Sequence, residues 1–392
     1  MSDRRRAPSV LLVINSLGYG GTERMVERLV LHQQAAGRVR YTVLSLETPG
    51  PIGERLAAAG VPVLALHRHG AAAQVLAGAA AVRRLMRGGA FDLVHSFLYR
   101  SHAASRLARL LAGRGVPLVA SERCLGDNRG TLARLINRLT ARGSDRVLAV
   151  SRAVGERAAQ RDGVPAARVG VIPNGIEIPE PDPRARLRLR RALRLGSGET
   201  LLLALGRLHR EKGPDLLIEA LRILRTRGVA GWRCAFVGEG PERGALRTAS
   251  ADLGDRVLFT GGRRRVGPWL EACDLLVLPS REEGMPVAPI EAMMRGRMVV
   301  ATRVGGTPEV VRHDETGLLV EPENPGALAD AIAAALGDPA RREAMGARGA
   351  AVARAHFTLE AMAAATLNEY RLLLDAGAPA GTTARAAAAY RR

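Results

Sequence analysis

Short apolar runs recur along the chain, each closed by a glycine-bearing or polar turn and separated from the next by a stretch of helical length. In the first half they fall at 10–15, 41–46, 61–66, 93–95, 118–121, 147–151 and 169–172. In the second half they fall at 201–205, 234–237, 257–260, 275–278, 298–301 and 316–320. A continuous run, with no alternation of polar and apolar, suits a strand buried on both faces. Strands alternating with helices predict an α/β fold of parallel sheets, each with helices on both sides. Ligands of such sheets bind where the strands end, at their carboxyl edge. In the first half the residues there are Asn15, His95, Ser121-Glu122-Arg123, Ser151 and Asn174-Gly175.

The stretches between the strands read as helices. One runs from about 22 to 34, after the turn Gly18-Tyr19-Gly20-Gly21; Glu23 stands where a dinucleotide-binding fingerprint needs its third glycine. A helix over 129–142 sets Leu132, Leu135, Ile136 and Leu139 on one face, with Arg134, Arg138 and Arg142 about one turn apart; 105–114 is similar. Each alone reads as a surface helix with its apolar stripe on the core; with the arginine surplus of this half, a peripheral membrane contact is the other reading. Residues 177–198 hold Pro179, Pro181 and Pro183 and then an arginine-rich run. They read as an interdomain linker followed by the solvated face of a short helix. From 322 to about 376 the pattern is mostly helical, and 377–392 lacks a core pattern and is expected to be disordered.

At 392 residues the chain is too long for one ordinary core and fits two domains. No apolar run approaches the roughly 20 residues of a membrane span. The basic, then apolar, N-terminus mimics a secretory signal, but it lacks a small-residue cleavage site and flows into Gly20-Gly21 as a first strand would. Cys124, Cys234 and Cys273 are widely spaced, match no metal pattern, and fit a reducing cytoplasm. The net charge is +20, and Lys212 is the only lysine among 58 basic residues. Residues 1–180 carry 26 arginines against 13 carboxylates, so the surplus is concentrated in the first half. Such a surface suits an anionic membrane face; with 3% aromatics and no nucleic-acid motif, nucleic acid is not an expected partner.

Candidate chemistry gathers in two places. Residues 273–302 read as strand, turn, helix, strand, with Pro286 opening the helix, Gly296 ending it after about Arg295, and the next strand at 298–301. Glu283 stands at the helix mouth and Glu291 eight positions on, roughly 8–10 Å along the element. The turn presents free backbone N–H groups and a positive helix end, a seat for an anion. The carboxylates beside it suit sugar hydroxyls or developing positive charge; a buried helix start with solvated glutamates is the other reading. Residues 206–213, Gly-Arg-Leu-His-Arg-Glu-Lys-Gly, follow a strand and precede a helix. There Arg207 and Lys212 can clamp a diphosphate, or Lys212 can make a structural ion pair with Glu211 or Asp215.

Pro279, Ser280, Glu283, Gly284, Pro286, Glu291, Ala292, Met293 and Gly296 meet nearly every fixed position of P-S-x-x-E-G-x-P-x-x-x-x-E-A-M-x-x-G. In this the chain resembles the retaining glycosyltransferases of family four, the group 1 enzymes of GT-B architecture. The 206–213 frame resembles their pyrophosphate loop, and the resemblance extends over roughly residues 9–375. It implies two doubly wound, Rossmann-like parallel-sheet domains facing each other across a cleft. Residues 1–176 would bind acceptor and 199–355 nucleotide sugar, with a final helix, 356–376, crossing back to the first domain. Arg207 and Lys212 would stabilise the departing diphosphate, Glu283 would contact the donor sugar and Glu291 the ribose. Gly20, Gly21, Gly238, Gly261, Arg263, Gly284, Met285 and Pro286 would line the donor. Family members often carry His-x-His at the fourth strand, with a histidine near the reacting face of the sugar. Here His95 is followed by Ser96 and Phe97, so the second histidine is absent. Arg100 and His102 are nearby substitutes, and Arg100, Glu122 and Asn174 are candidate cleft or acceptor residues.

The implied reaction moves a sugar, expected to be UDP-linked, to a saccharide or lipid-linked saccharide with retention at the anomeric carbon. The setting would be bacterial exopolysaccharide or lipopolysaccharide assembly, in the cytoplasm and peripheral to the membrane. No Asp-x-Asp occurs, so no metal is expected. Two alternatives stay open, a nucleotide-sugar 2-epimerase of the same architecture and a non-catalytic basic binding protein. A dinucleotide oxidoreductase is disfavoured by the incomplete glycine fingerprint.

Overall fold

The structure, a computed structural model, describes residues 6–18, 20–113, 115–126 and 130–376; the segment 377–392 lies outside the described residues, as does the side chain of Leu132. Two compact units divide the chain. The first comprises most of residues 1–175 together with the chain from 359 onward, and the second comprises 124–127 and 176–358.

Unit 1 begins β1 (Ser9–Ile14), α1 (Gly21–Ala35), β2 (Arg40–Ser45), α2 (Gly50–Ala58), β3 (Val63–Ala65) and α3 (Ala71–Arg87). It continues β4 (Leu93–Phe97), α4 (Tyr99–Ala112), β5 (Leu118–Glu122), α5 (Thr131–Thr140), β6 (Arg146–Ala149), α6 (Arg152–Gln160) and β7 (Val169–Val171). The seven strands form one parallel sheet in the order β3-β2-β1-β4-β5-β6-β7. β1 shows why the apolar runs are unbroken. Val10, Leu12 and Ile14 enter the core on one face of the sheet, and Leu11 and Val13 enter the core on the other.

Unit 2 begins α7 (Pro183–Ala192), β8 (Thr200–Leu205), α8 (Pro214–Thr226), β9 (Trp232–Val237), α9 (Arg243–Ala249) and β10 (Val257–Gly261). Next come α10 (Gly267–Ala272), β11 (Leu275–Leu278), α11 (Val287–Met293), β12 (Met298–Thr302) and α12 (Thr307–Val310). β13 (Gly317–Val320), α13 (Pro325–Gly337) and α14 (Pro339–His356) complete it. Its six parallel strands run β10-β9-β8-β11-β12-β13. The last helix, α15 (Leu359–Ala376), belongs to unit 1, where Leu367 and Tyr370 join the core cluster of β1 and α1.

Every predicted strand is present, with ends that move for local reasons. The run 61–66 shortens to β3 because this edge strand pairs only with Val43, Leu44 and Ser45. The run 147–151 stops at Ala149 because Ser151 caps α6, its Oγ accepting from the Val154 N–H at 3.2 Å.

Two expectations are corrected. The arginines of the 183–192 helix are not merely a solvated face. Arg186 donates to the carbonyls of Glu271, Ala272 and Cys273 (2.9–3.1 Å) and to Asp274 (2.6 Å), while Arg190 reaches Asp274 at 2.8 Å. The pair caps the C-terminus of α10, whose last carbonyls lack helical partners. The stripe of α5 is not on the core either: Leu135, Ile136 and Leu139 are exposed. The side turned inward carries Asn137, which accepts from the buried Arg106 at 2.7 Å.

Candidate functional site

Each sheet has one point where successive strands are laid down in opposite directions, and a crevice opens at the carboxyl edge there. In unit 2 that point lies between β8 and β11. The two motif stretches, 206–213 after β8 and 279–286 after β11, are the loops that leave it. Gly213 takes a left-handed conformation (φ +61°), and a Cβ there would stand 2.0 Å from the Pro279 carbonyl oxygen. Only a glycine lets the two loops close to this distance. Gly238, after β9, lies equally tight on Gly206: its Cβ would fall 1.7 Å from the Gly206 oxygen.

Lys212 ends a single 3₁₀ turn, Arg210–Lys212, and its Nζ donates to Glu283 Oε1 at 2.7 Å. Ser280 Oγ donates to the same oxygen at 2.7 Å. Glu283 is 7% exposed, so this carboxylate exchanges water for one ammonium and one hydroxyl. Its own carbonyl accepts from the Gly306 N–H at 3.3 Å, which ties the turn after β12 to the same corner. Arg207 is far more open, at 68%, and pairs with Glu211 at 3.2 Å. Lys212 therefore pairs with neither Glu211 nor Asp215. Asp215 is held by both Nη atoms of Arg281 at 2.7 Å. Burial raises the Asp215 carboxyl, and the Arg281 hydrogen bonds and charge outweigh it, leaving the group below its ordinary value.

Arg281 is the residue that sequence reading missed. Its backbone N–H donates to the Glu211 carbonyl (2.8 Å), and its side chain donates to the Arg210 carbonyl (2.9 Å) and to Asp215. It joins the two loops of the site. It occupies an unspecified position of the motif, so no pattern marked it.

Pro286 is the N-cap of α11, beside the buried Met285 and the half-buried Gly284. Glu291 lies half-buried in α11, with Arg295 Nη1 donating to its carbonyl at 2.9 Å. Gly261 ends β10, and Arg263 is exposed in the loop that follows.

In unit 1 the strand order reverses between β1 and β4. Gly20 caps α1 and Gly21 opens it. Asn15 Oδ1 accepts from the Ser101 N–H (3.0 Å) and Oγ (2.9 Å), fixing the start of α4 at this crevice. Arg100 donates to Gln74 at 2.6 Å and to Glu47 at 3.1 Å. Glu122 lies 3.7 Å from His102 Nε2, and His102 Nδ1 is 2.8 Å from Ser96 Oγ. Asn174 accepts from Arg123.

His95 lies in the interior. Its Nδ1 is 2.6 Å from Tyr370 Oη and its Nε2 2.8 Å from Ser121 Oγ, so both ring nitrogens are engaged. Phe97 packs on the ring, with centroids 4.3 Å apart, in the place of the missing second histidine. Burial, with His102 and Arg123 adding repulsion, pushes His95 well below the usual histidine range and keeps it neutral. A small cavity adjoins it, lined in part by Met25, Phe97, Ser121, Arg123 and Met362. Among the described residues no three His, Cys, Asp or Glu side chains assemble as a metal site.

Both halves of this arrangement recur in known proteins. Residues 199–338 match the family described as Glycosyl transferases group 1, and residues 19–180 that described as Glycosyltransferase Family 4. A GDP-mannose-dependent alpha-(1-6)-phosphatidylinositol monomannoside mannosyltransferase of Mycobacterium tuberculosis is 36% identical over 283 residues, 67% of this chain and 72% of that protein. A D-inositol 3-phosphate glycosyltransferase of Pseudarthrobacter chlorophenolicus is 31% identical over 313 residues, 75% of this chain and 74% of the relative. Among solved structures, Alr3699/HepE of Anabaena in complex with UDP superposes with a TM-score of 0.82 at 23% identity, covering 93% of this chain and all of that one. The fold is the GT-B fold of two parallel-sheet α/β domains. The chain belongs to glycosyltransferase family 4 and is a glycosyltransferase.

Proposed function

We propose that the protein transfers a sugar from a nucleoside diphosphate donor to a hydroxyl of a saccharide or lipid-linked saccharide, with retention, in the assembly of a cell-surface glycan. The observation that carries this reading is the contact of Lys212 with Glu283 at the β8/β11 crevice. It puts a compact cation and a carboxylate on one spot at the edge where such sheets take their ligands. Lys212 and the open Arg207 would meet the diphosphate, and their charges would offset those that develop as it leaves, with no metal taking part. Glu283, freed in part from Lys212 by the incoming phosphates, would face the donor sugar, and Glu291 the ribose. His95, with both nitrogens engaged, would act by positioning Ser121 rather than by contact with substrate.

A UDP-linked donor agrees with the UDP bound by the Anabaena structure. The name of the mycobacterial relative specifies GDP-mannose. That name also specifies a glycolipid acceptor, which supports a lipid-linked substrate and a site of action at the inner membrane surface. Thermal unfolding with UDP, GDP, ADP and NAD tests the reading. One nucleoside diphosphate at about 100 times its Kd should stabilise by about 2.7 kcal/mol, and Lys212→Ala should abolish the shift. Stabilisation by NAD alone, or by no nucleotide, would sink the proposal. Turnover of the matching sugar nucleotide without any acceptor, giving an isomerised sugar, would favour the epimerase.

A further inference from the structure

We infer that Arg281 is a positioning residue of the transfer site, holding the turn before Lys212 so that its ammonium meets the diphosphate, and that Glu323 holds Arg281 in turn. The inference rests on the proposed role of Lys212 and adds two residues and a third loop to it.

Residue 281 reaches both peptide groups that precede Lys212. Its backbone N–H donates to the Glu211 carbonyl at 2.8 Å, and its Nη1 donates to the Arg210 carbonyl at 2.9 Å. Arg210, Glu211 and Lys212 are the whole 3₁₀ turn, closed by the Lys212 N–H on His209 (2.8 Å) and the Gly213 N–H on Arg210 (3.0 Å). So short a turn holds its shape poorly by itself. Glu283 follows Arg281 by two positions, so one residue fixes the loop of the ammonium against the loop of the carboxylate.

The guanidinium is fully used in doing so. Nε donates to Glu323 Oε1, Nη1 to Asp215 Oδ1 (2.7 Å) as well as to Arg210, and Nη2 to Asp215 Oδ2 (2.7 Å) and Glu323 Oε2 (3.2 Å). These bonds match the five N–H donors that an arginine has. Two carboxylates face one cation, so the group offers an incoming phosphate neither a donor nor a net positive charge. Arg207, 68% exposed, is open to a phosphate; Arg281, 17% exposed, is not. A lysine carries its donors on one atom and cannot span two carboxylates and a carbonyl.

Glu323 is strained. It lies exposed in the turn after β13 with φ +55°, a left-handed conformation that favours glycine. An exposed ion pair stabilises a fold little. A glutamate kept in that conformation is accounted for by the group it orients rather than by stability.

Isothermal titration calorimetry of the full-length protein with UDP, GDP and ADP tests this. For the nucleotide that the wild type binds, Arg281→Lys should raise the Kd about tenfold. Lys212→Ala should raise it at least as much, and the double variant no further, because a residue that acts through Lys212 then has nothing to orient. Glu323→Gly removes the carboxylate where the backbone suits glycine. It should unfold no earlier than the wild type and raise the Kd about threefold, again only while Lys212 is present. This variant decides the question if Arg281→Lys does not fold. Unchanged affinity in the folded variant, or a loss that adds in full to that of Lys212→Ala, would overturn the inference and leave the transfer reading standing. Binding of none of the three nucleotides by the wild type would instead sink both.

Discussion

A methyl group at position 238 would lie 1.7 Å from the Gly206 carbonyl oxygen, and one at 213 would lie 2.0 Å from that of Pro279. Backbone on both sides leaves no flexible end to move aside. Gly238→Ala and Gly213→Ala should each cost about 2–4 kcal/mol, read from chemical denaturation. At position 213 the strain of the left-handed backbone adds to the clash. Lys212→Ala should reduce transfer by about a hundredfold or more, measured as release of the nucleoside diphosphate. It also leaves Glu283 buried with only Ser280, so Lys212→Arg, which keeps the charge, separates catalysis from local packing. His95 gives a pH signature. Unfolded, it takes up a proton near 6.5; folded, it resists protonation until a lower pH. The folded pKa lies below the unfolded one, so its stability contribution is fully present above 6.5. It is lost as the pH falls toward the folded value, by about 1.4 kcal/mol per pH unit. Unfolding midpoints from pH 8 to pH 5 should show this slope, and His95→Gln should flatten it. Sequence identified Lys212, Glu283 and the glycines because their spacing is fixed by loops of constant shape. It did not reveal what His95 touches, because Ser121 and Tyr370 come from distant parts of the chain.

Elements were legible where periodicity was strong. All thirteen strands are where the apolar runs fall, because a strand covered on both faces has no reason to include polar residues. The helices near residues 135 and 186 depart from expectation for a common reason: a helical stripe shows which residues share a face, not which way the face turns. For α7 the direction is set by Asp274, which receives Arg186, Arg190 and the Leu201 N–H. Burial raises the Asp274 carboxyl, but Arg186, the Leu201 N–H and Arg190 outweigh it and hold it below its ordinary value. Asp274→Ala should strand two guanidinium groups and destabilise unit 2 by about 2–4 kcal/mol in denaturant titration. The stabilisation is full above the ordinary aspartate value and is lost as the pH falls from there through the lower folded value.

For the molecule as a whole, the fold follows from order along the chain, with one exception. Unit 1 is discontinuous: α15, more than 180 residues after β7, supplies Leu367 and Tyr370 to its core, and Glu369 pairs with Arg146 at 2.7 Å. Truncation after Thr358 should therefore leave unit 1 unable to unfold cooperatively, seen by calorimetry as loss of a transition. Tyr370→Ala alone should cost about 3–5 kcal/mol. That such a helix returns to the first domain could be expected only by resemblance, since its amphipathic pattern fits many surfaces. Sequence by itself determined the two parallel sheets, the loops that carry Gly206–Gly213 and Pro279–Pro286, and the family, because these depend on local period and fixed spacing. Tertiary structure alone decided that Lys212 meets Glu283, that Arg281 pins their loops, that His95 is enclosed, and that α5 turns its leucines outward. Each of these is a contact or an orientation set by residues distant in the chain, and such partners leave no periodic trace.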